Sequence, residues 1–140
     1  APLCCLHAAE GPLIDAMDAI NFQQPKEKCV LELVEGKVGK ALKFTFENEC
    51  RNAFAMGKAR GTAEWDGAAG FSFWVKGDGS EACGGIEFIW NEDYGLRYDY
   101  CFPIRGTEWQ KVTVAWRELL PALPKEGGAH LFLQRLFLLD

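Results

Sequence analysis

The chain has very little of the chemistry that most enzymes use. Only two of its 140 residues are histidines, and neither His7 nor His130 lies in a recognisable serine, cysteine or aspartate catalytic context. The nucleophile motif G-x-S-x-G, the zinc motif H-E-x-x-H and the phosphate loop G-x-x-x-x-G-K-[ST] are also missing from the sequence. These absences predict a protein without catalytic activity.

Two further absences limit the partners that we expect. Lysine and arginine number 15 against 20 acidic residues, the formal net charge is −5, and no run of basic residues occurs. Nucleic acid needs a basic run or patch that neutralises its phosphates, so we do not expect it as a partner. No apolar stretch is long enough to cross a bilayer, which predicts that there is no membrane span.

The remaining composition is that of one ordinary globular domain. Hydrophobic residues make up 49% and charged residues 25% of the chain, which is long enough for one core and too short for two typical ones. The first residues, APLCCLHAAEG, are apolar and carry small side chains at Ala8 and Ala9. We expect residues 1–10 to be either the remnant of a secretory signal or a frayed terminus. Residues 11–140 then form the single domain.

Six cysteines are many for this length, yet none belongs to a C-x-x-C pair, which argues against a zinc ribbon or a redox motif. A hairpin around NEDYG could pair Glu87 with Arg97. The same register would place Cys83 opposite Cys101, at a spacing that is near, though not ideal, for a disulfide. The two cysteines are therefore either a disulfide, which would suit an exported protein, or two buried thiols.

Short apolar segments whose residues alternate between two faces dominate the rest of the chain. In KALKFTFEN, for example, Leu42, Phe44 and Phe46 share one face and polar residues occupy the other, as in a half-buried strand. Turn-forming residues separate nearly every pair of segments. The predicted strands are 29–36, 40–48, 70–77, 83–90, 96–103, 108–116 and 130–140. Their number and spacing predict an all-β fold, a two-sheet antiparallel β-sandwich, with a short helix over 12–20 and one turn over 116–120.

A longer stretch carries a combination of motifs in a recurrent order. It runs from FWVK through the turn GDG, two strands with an apolar face, the corner GTEW and the strand QKVTV to the exit WRELLP. In this combination residues 38–121 resemble the jelly-roll carbohydrate-binding modules of the galactose-binding-like superfamily, some of which are attached to polysaccharide-degrading enzymes. They are also similar to domains of the complex I intermediate-associated-protein type. The resemblance implies a jelly roll more strongly than a function, because such sandwiches host many activities.

A glycan site needs an exposed aromatic ring beside polar side chains that hydrogen-bond to the sugar hydroxyls. On three segments that we expect to be neighbouring strands, the face opposite the phenylalanines carries such a set. The candidate ligand-binding residues on this face are Trp74, Glu87, Arg97 and Asp99. In the alternative, structural interpretation, Trp74 lies under a loop or the N-terminal segment, and Glu87 forms a cross-strand ion pair with Arg97.

Aromatic residues in loops form a second candidate surface, because binding residues concentrate on loops that a rigid scaffold carries. Trp90 and Tyr94 lie around the predicted turn over 91–95 and are candidate ligand-binding residues. Trp65 and Trp109 are expected to pack against the sandwich instead.

A structural Ca²⁺ between the first and the last strand is common in the jelly-roll modules that the chain resembles. Asp15, Asp18 and Asp140 are the candidate metal ligands, since calcium prefers carboxylate and carbonyl oxygens. The alternative is that these carboxylates are simply solvated, because their spacing is not that of an EF-hand.

Together these observations predict a non-catalytic carbohydrate-binding module that holds a poly- or oligosaccharide by aromatic stacking. The resemblance implies an accessory to a polysaccharide-degrading enzyme, within a larger multidomain protein that is secreted, periplasmic or on the cell surface. A protein-assembly or chaperone-like interaction domain is the first alternative, and it would need a broad exposed apolar face. A small glycan-cleaving enzyme is the second, and it would need two carboxylates that face each other in a cleft.

Overall fold

The computed structural model describes residues 2–7, 13–22, 29–46, 54–56, 59–123 and 127–139. Strands in these parts of the chain are β1 (Pro2–His7), β2 (Leu13–Asp15), β3 (Cys29–Glu35), β4 (Lys40–Phe46), β5 (Phe54–Met56), β6 (Gly70–Lys76), β7 (Cys83–Trp90), β8 (Asp93–Pro103), β9 (Trp109–Ala115) and β10 (Leu131–Leu139). The other elements there are the helix α1 (Ala63–Gly67) and the 3₁₀ turns Trp116–Glu118 and Gly128–His130. In this described part, no helix has the length and hydropathy that a membrane crossing requires.

The strands form two antiparallel sheets. The six-stranded sheet has the order β3–β4–β1–β6–β9, and β2 pairs with β1 next to this path. The four-stranded sheet has the order β5–β10–β7–β8. The prediction of an all-β antiparallel fold is therefore confirmed. The finer assignment, a sandwich with jelly-roll connectivity, stays a prediction.

The two sheets contribute to one apolar core. Phe73 of β6 meets Phe102 of β8 with ring centroids 5.0 Å apart, and Phe71 of β6 meets Phe88 of β7 at 5.3 Å. Both pairs are edge-on, an arrangement that the aromatic quadrupole favours. All four rings are buried, and each belongs to the face that alternation assigns to the interior. The hydrophobic pattern thus predicts correctly which face of these strands is covered.

Two segments near the start of the chain differ from the prediction. β1 pairs with β4 on one side and β6 on the other, so Pro2–His7 lies within the sheet. The interpretation of residues 1–10 as the remnant of a secretory signal stays a prediction. The helix predicted over 12–20 is wrong, because Leu13–Asp15 forms β2 and pairs with β1. An isolated short helix has little stability of its own in water, whereas a strand at this position gains ladder hydrogen bonds.

Two consecutive glycines let aromatic rings approach β7 from both sides. A Cβ atom at Gly84 would lie 2.4 Å from the ring of Phe102, which is in the core. A Cβ atom at Gly85 would lie 2.2 Å from the ring of Phe137, on the outer side of the sheet. A side chain at either position would therefore collide with a ring, which explains a glycine pair inside a strand.

Candidate functional site

The predicted ligand face does not form, because its members lie on different sheets. Trp74 is on β6 of the six-stranded sheet, whereas Glu87, Arg97 and Asp99 are on β7 and β8 of the four-stranded sheet. The neighbouring residue Phe73 is in the core, so Trp74 lies on the outer face of its sheet. The connection between β6 and β7 crosses from one sheet to the other, and the expectation that these strands are neighbours is wrong.

The hairpin of β7 and β8 has a register two residues away from the predicted one. Glu87 lies opposite Asp99, not opposite Arg97. The same shift removes Cys83 from its predicted position opposite Cys101, and both side chains are free thiols that are not fully buried. Neither the predicted disulfide nor a pair of buried thiols is therefore present.

The turn of this hairpin explains the shift. Asn91 and Glu92 have positive φ angles of 48° and 61°, as the two central residues of a tight hairpin turn require. Residues 94–96 then form a bulge in the register between β8 and β7. Tyr94, in this bulge, is 56% exposed, whereas Trp90 is half-buried and packs against the core. The two loop aromatics therefore do not present one common stacking surface.

Arg97 has a local partner in the bulge. Its Nε donates a hydrogen bond to the carbonyl oxygen of Tyr94 at 2.7 Å. On the other side of the bulge, the backbone N–H of Gly95 donates to Oδ1 of Asp93 at 2.8 Å. The first of these bonds ties Arg97 to the bulge, in place of the predicted ion pair with Glu87.

The outer face of the four-stranded sheet carries a cluster of charges that we call the acidic cluster: Glu87, Asp99 and Arg135. Arg135 donates from Nη2 to Oε2 of Glu87 at 2.9 Å, and the Glu87 side chain is only 3% exposed. Burial, together with the hydrogen bond and negative charge of Glu87, raises the pKa of Asp99 to about 6. Glu87 is thus held by Arg135 and Asp99 and almost sealed from solvent, which leaves little of it for a ligand, whereas Oδ1 of Asp99 and Nε of Arg135 are buried without a hydrogen-bond partner among the described residues.

A β-bulge in β10 makes this cluster possible. The pairing with β7 shifts by one residue between Leu133 and Arg135, and a bulge of this kind re-aims the side chains that follow it. Without the shift, Arg135 would point towards the core. The signal was in the sequence, because the buried leucines of β10 are spaced two, three and two residues apart. These are Leu131, Leu133, Leu136 and Leu138.

The outer face of the six-stranded sheet carries a different group, which we call the aromatic–lysine face: Trp74, Trp109, Lys37, Lys76 and Lys111. In the pairing of β6 with β9, Trp74 lies opposite Lys111 and Lys76 lies opposite Trp109. Both indoles are half-buried and both lysines of the strands are exposed. The Nζ of Lys37 lies 5.6 Å from the centroid of the Trp74 ring, within cation–π range.

The two tryptophans belong to a small apolar cluster outside the main core. With Val34 they pack around Ala41, which is fully buried. Trp109 packs in this cluster, as the sequence predicts, and it is also partly exposed on the same face as Trp74. The signal that identifies it is the repeated pattern Trp-x-Lys at residues 74–76 and 109–111.

A depression of about 420 Å³ lies beside Trp116, near the end of α1. The indole N–H of Trp116 donates to the carbonyl oxygen of Ala68 at 2.9 Å. Trp65 is buried, as its expected packing role requires, and its ring stacks on that of Trp116 at 6.4 Å. Because Trp116 is only 4% exposed, its ring is not available as a stacking surface for a ligand.

The predicted calcium ligands are only partly described. Asp15 ends β2 and accepts a hydrogen bond at Oδ1 from the backbone N–H of Met17 at 2.8 Å, and Asp18 is exposed. Asp140 lies outside the described residues. Within the described ranges, no group of three or more His, Cys, Asp or Glu side chains comes close enough to hold a metal ion. The calcium site stays a prediction.

Comparison of the chain with protein-family models, curated proteins and solved structures finds no match. What the chain binds must therefore be inferred from the geometry of the two outer faces.

Proposed function

We propose that the chain is a non-catalytic carbohydrate-binding domain and that the aromatic–lysine face is its ligand-binding surface. The observation that carries this proposal is the pair of partly exposed indoles on adjacent strands. A sugar ring presents patches of C–H groups that pack on an aromatic face, and lysine Nζ groups can donate hydrogen bonds to its hydroxyls. A role as an exported accessory to a polysaccharide-degrading enzyme, which the motif combination in residues 38–121 implies, is part of the same proposal.

The arrangement of the two rings favours a chain of sugars over a single one. Trp74 and Trp109 occupy diagonal positions on adjacent strands, where residues are about 7–8 Å apart. Two rings at that separation can each stack on a different sugar of one oligosaccharide.

The two alternative functions fit the described residues less well. An assembly surface should be broad and apolar, whereas lysines interrupt this one. A glycan-cleaving enzyme needs two carboxylates in a cleft. Glu87 and Asp99 do face each other, but Glu87 is almost sealed from solvent and is ion-paired with Arg135.

Affinity gel electrophoresis against a panel of neutral and acidic polysaccharides tests the proposal. We expect the wild-type chain to be retained by at least one of them. Trp74→Ala and Trp109→Ala should each weaken that binding about tenfold or more, which is about 1.4 kcal/mol, since a few anchoring aromatics dominate many binding surfaces. Circular dichroism and thermal unfolding show whether each variant is folded.

Tyr94→Ala is the matched control, because it removes an exposed aromatic ring from the other sheet. It should leave retention unchanged. Full retention by both tryptophan variants, or loss of retention in Tyr94→Ala instead, would rule out the aromatic–lysine face. Release of sugars from a polysaccharide by the purified chain would overturn the non-catalytic assignment.

A further inference from the structure

The two strands that carry the tryptophans contain the same three-residue pattern, Trp-x-Lys, at residues 74–76 and 109–111. Because β6 and β9 are antiparallel, the register places the tryptophan of each strand opposite the lysine of the other. The four side chains thus form a square in which aromatic and cationic corners alternate. Directly opposed Cβ atoms in such a pair of strands are roughly 4.5–5.5 Å apart. A lysine side chain of the neighbouring strand therefore starts beside each indole.

The charge of these lysines is not neutralised by the described residues. In that part of the chain, neither Lys76 nor Lys111 forms an ion pair. Lys43, on the same sheet, does pair with Glu32. Lys37 adds a third cation above the Trp74 ring. The surface around the two indoles is thus locally positive in a chain whose net charge is −5.

A ligand that matches this square has an apolar ring face and a negative charge at the edge of the same ring. A uronic acid has both, because its carboxylate is bonded directly to a carbon of the pyranose ring. In a polymer of uronic acids these features recur with each sugar, so both tryptophan–lysine pairs of the square can contact one polymer at once. Nucleic acid also stacks on aromatics, but its binding surfaces follow the phosphate backbone with an extended basic groove.

We propose that the aromatic–lysine face binds acidic polysaccharides made of uronic acids in preference to neutral ones. This inference rests on the proposed function, since it names the class of glycan for the same surface. Trp74 and Trp109 provide the stacking that any pyranose ring would receive. Lys76 and Lys111, on the square, provide the preference for carboxylates through charge-assisted hydrogen bonds.

Polygalacturonate and its fully methyl-esterified form are a matched pair of probes, because esterification removes the charge and keeps the sugar rings. Isothermal titration or affinity gels should show binding to polygalacturonate about tenfold or more tighter than binding to the ester. The double variant Lys76→Gln, Lys111→Gln should lose that preference and bind the ester as the wild type does. Trp74→Ala should weaken binding to both. Raising the salt concentration from about 50 to about 300 mM should weaken only the binding of the acid form.

Arg60→Gln is the control for charge, because it also removes one cation, from a residue that pairs with Glu92 away from the square. It should keep the preference for polygalacturonate. Equal affinity of the wild type for the acid and the ester, or a preference that survives in the lysine double variant, would overturn the inference. So would tighter binding to a single-stranded oligothymidylate or to dextran sulfate than to polygalacturonate.

The same data separate this inference from the proposed function. Retention by neutral polysaccharides that depends on Trp74 but not on charge would overturn the inference and leave the proposed function in place. If no polysaccharide, acidic or neutral, retains the wild-type chain, both are wrong.

Discussion

The two outer faces of the molecule use charged side chains in opposite ways. On the four-stranded sheet, Glu87 is almost sealed from solvent and lies between Arg135 and Asp99. On the six-stranded sheet, Lys76 and Lys111 are exposed and form no ion pair within the described ranges. Charged residues on a sheet surface therefore do not by themselves identify a binding site. The informative combination is charge without a partner beside an accessible ring.

The difference also has an energetic side. Breaking a buried ion pair leaves one charge without compensation in a poorly solvated place, which is costly, whereas exposed pairs contribute little. We therefore expect the acidic cluster to matter for stability and the aromatic–lysine face to matter for binding. Substitutions on each face test this division.

Loss of the cation from the acidic cluster should have the largest effect on stability. Arg135→Met removes the partner of the buried Glu87 carboxylate and keeps an unbranched side chain of moderate length. We expect the free energy of unfolding at neutral pH to fall by about 2–3 kcal/mol. This loss is smaller than for a fully buried pair, because the Arg135 side chain is 28% exposed. Urea unfolding measures the change.

Lys43→Met is the matched control on the other sheet, since it breaks the exposed pair with Glu32. It should change the free energy of unfolding by no more than about 0.5 kcal/mol. Equal losses in Arg135→Met and Lys43→Met would remove the energetic distinction between the two faces.

Gly85→Ala should also destabilise the four-stranded sheet. The added methyl group would lie 2.2 Å from the ring of Phe137, and overpacking of this kind costs about 1–3 kcal/mol. Gly67→Ala serves for comparison, because no atom lies within 4 Å of the Cβ position there, and it should be neutral or slightly stabilising. Similar melting temperatures for the two variants would show that the Phe137 ring can move away at no cost.

The acidic cluster should make stability depend on pH. Burial and the adjacent Glu87 carboxyl raise the pKa of Asp99 from 3.8 to about 6, so the folded state binds this proton more tightly than the unfolded state. The stability it provides is complete below about pH 4 and is lost as the pH rises to about 6. Solvent screening of the half-buried side chain limits the loss to about 1 kcal/mol.

Asp99→Asn removes this titration. The loss of stability that Asp99 causes between pH 4 and pH 7 should therefore be absent from the variant. Urea unfolding of the wild type and the variant at the two pH values measures the free energy of unfolding that each loses. If the variant and the wild type show the same difference, the raised pKa of Asp99 has no consequence for folding.

The sequence predicts the faces of strands well, because side-chain direction along a strand is a local property with a period of two residues. It places Trp74 on the other face of β6 from Phe73 and Val75, and the structure agrees. It does not predict which strands are neighbours, since that depends on where a connection crosses between sheets. The separation of Trp74 from Glu87 is the result, and no pattern within either strand contains it.

The register of the hairpin of β7 and β8 could not be predicted for a related reason. The position of Glu87 opposite Asp99 depends on a two-residue turn at Asn91 and Glu92 and on the bulge that follows. A shift of two residues keeps every side chain on its predicted face, so alternation cannot detect it. The repeated Trp-x-Lys pattern points to the proposed binding face, but only with the knowledge that β6 and β9 are adjacent.

The smallest effect on stability should come from the lysines of the aromatic–lysine face. Lys76→Gln and Lys111→Gln remove exposed charges without an ion-pair partner among the described residues, so each should change the free energy of unfolding by less than about 0.5 kcal/mol. Either substitution can even raise the free energy of unfolding, because the two lysines occupy diagonal positions and like charges repel each other. A loss above about 1 kcal/mol in either variant would mean that the lysines support the fold. If the lysines serve a ligand, they contribute only when that ligand is bound. We therefore expect unchanged stability together with about tenfold weaker binding to polygalacturonate.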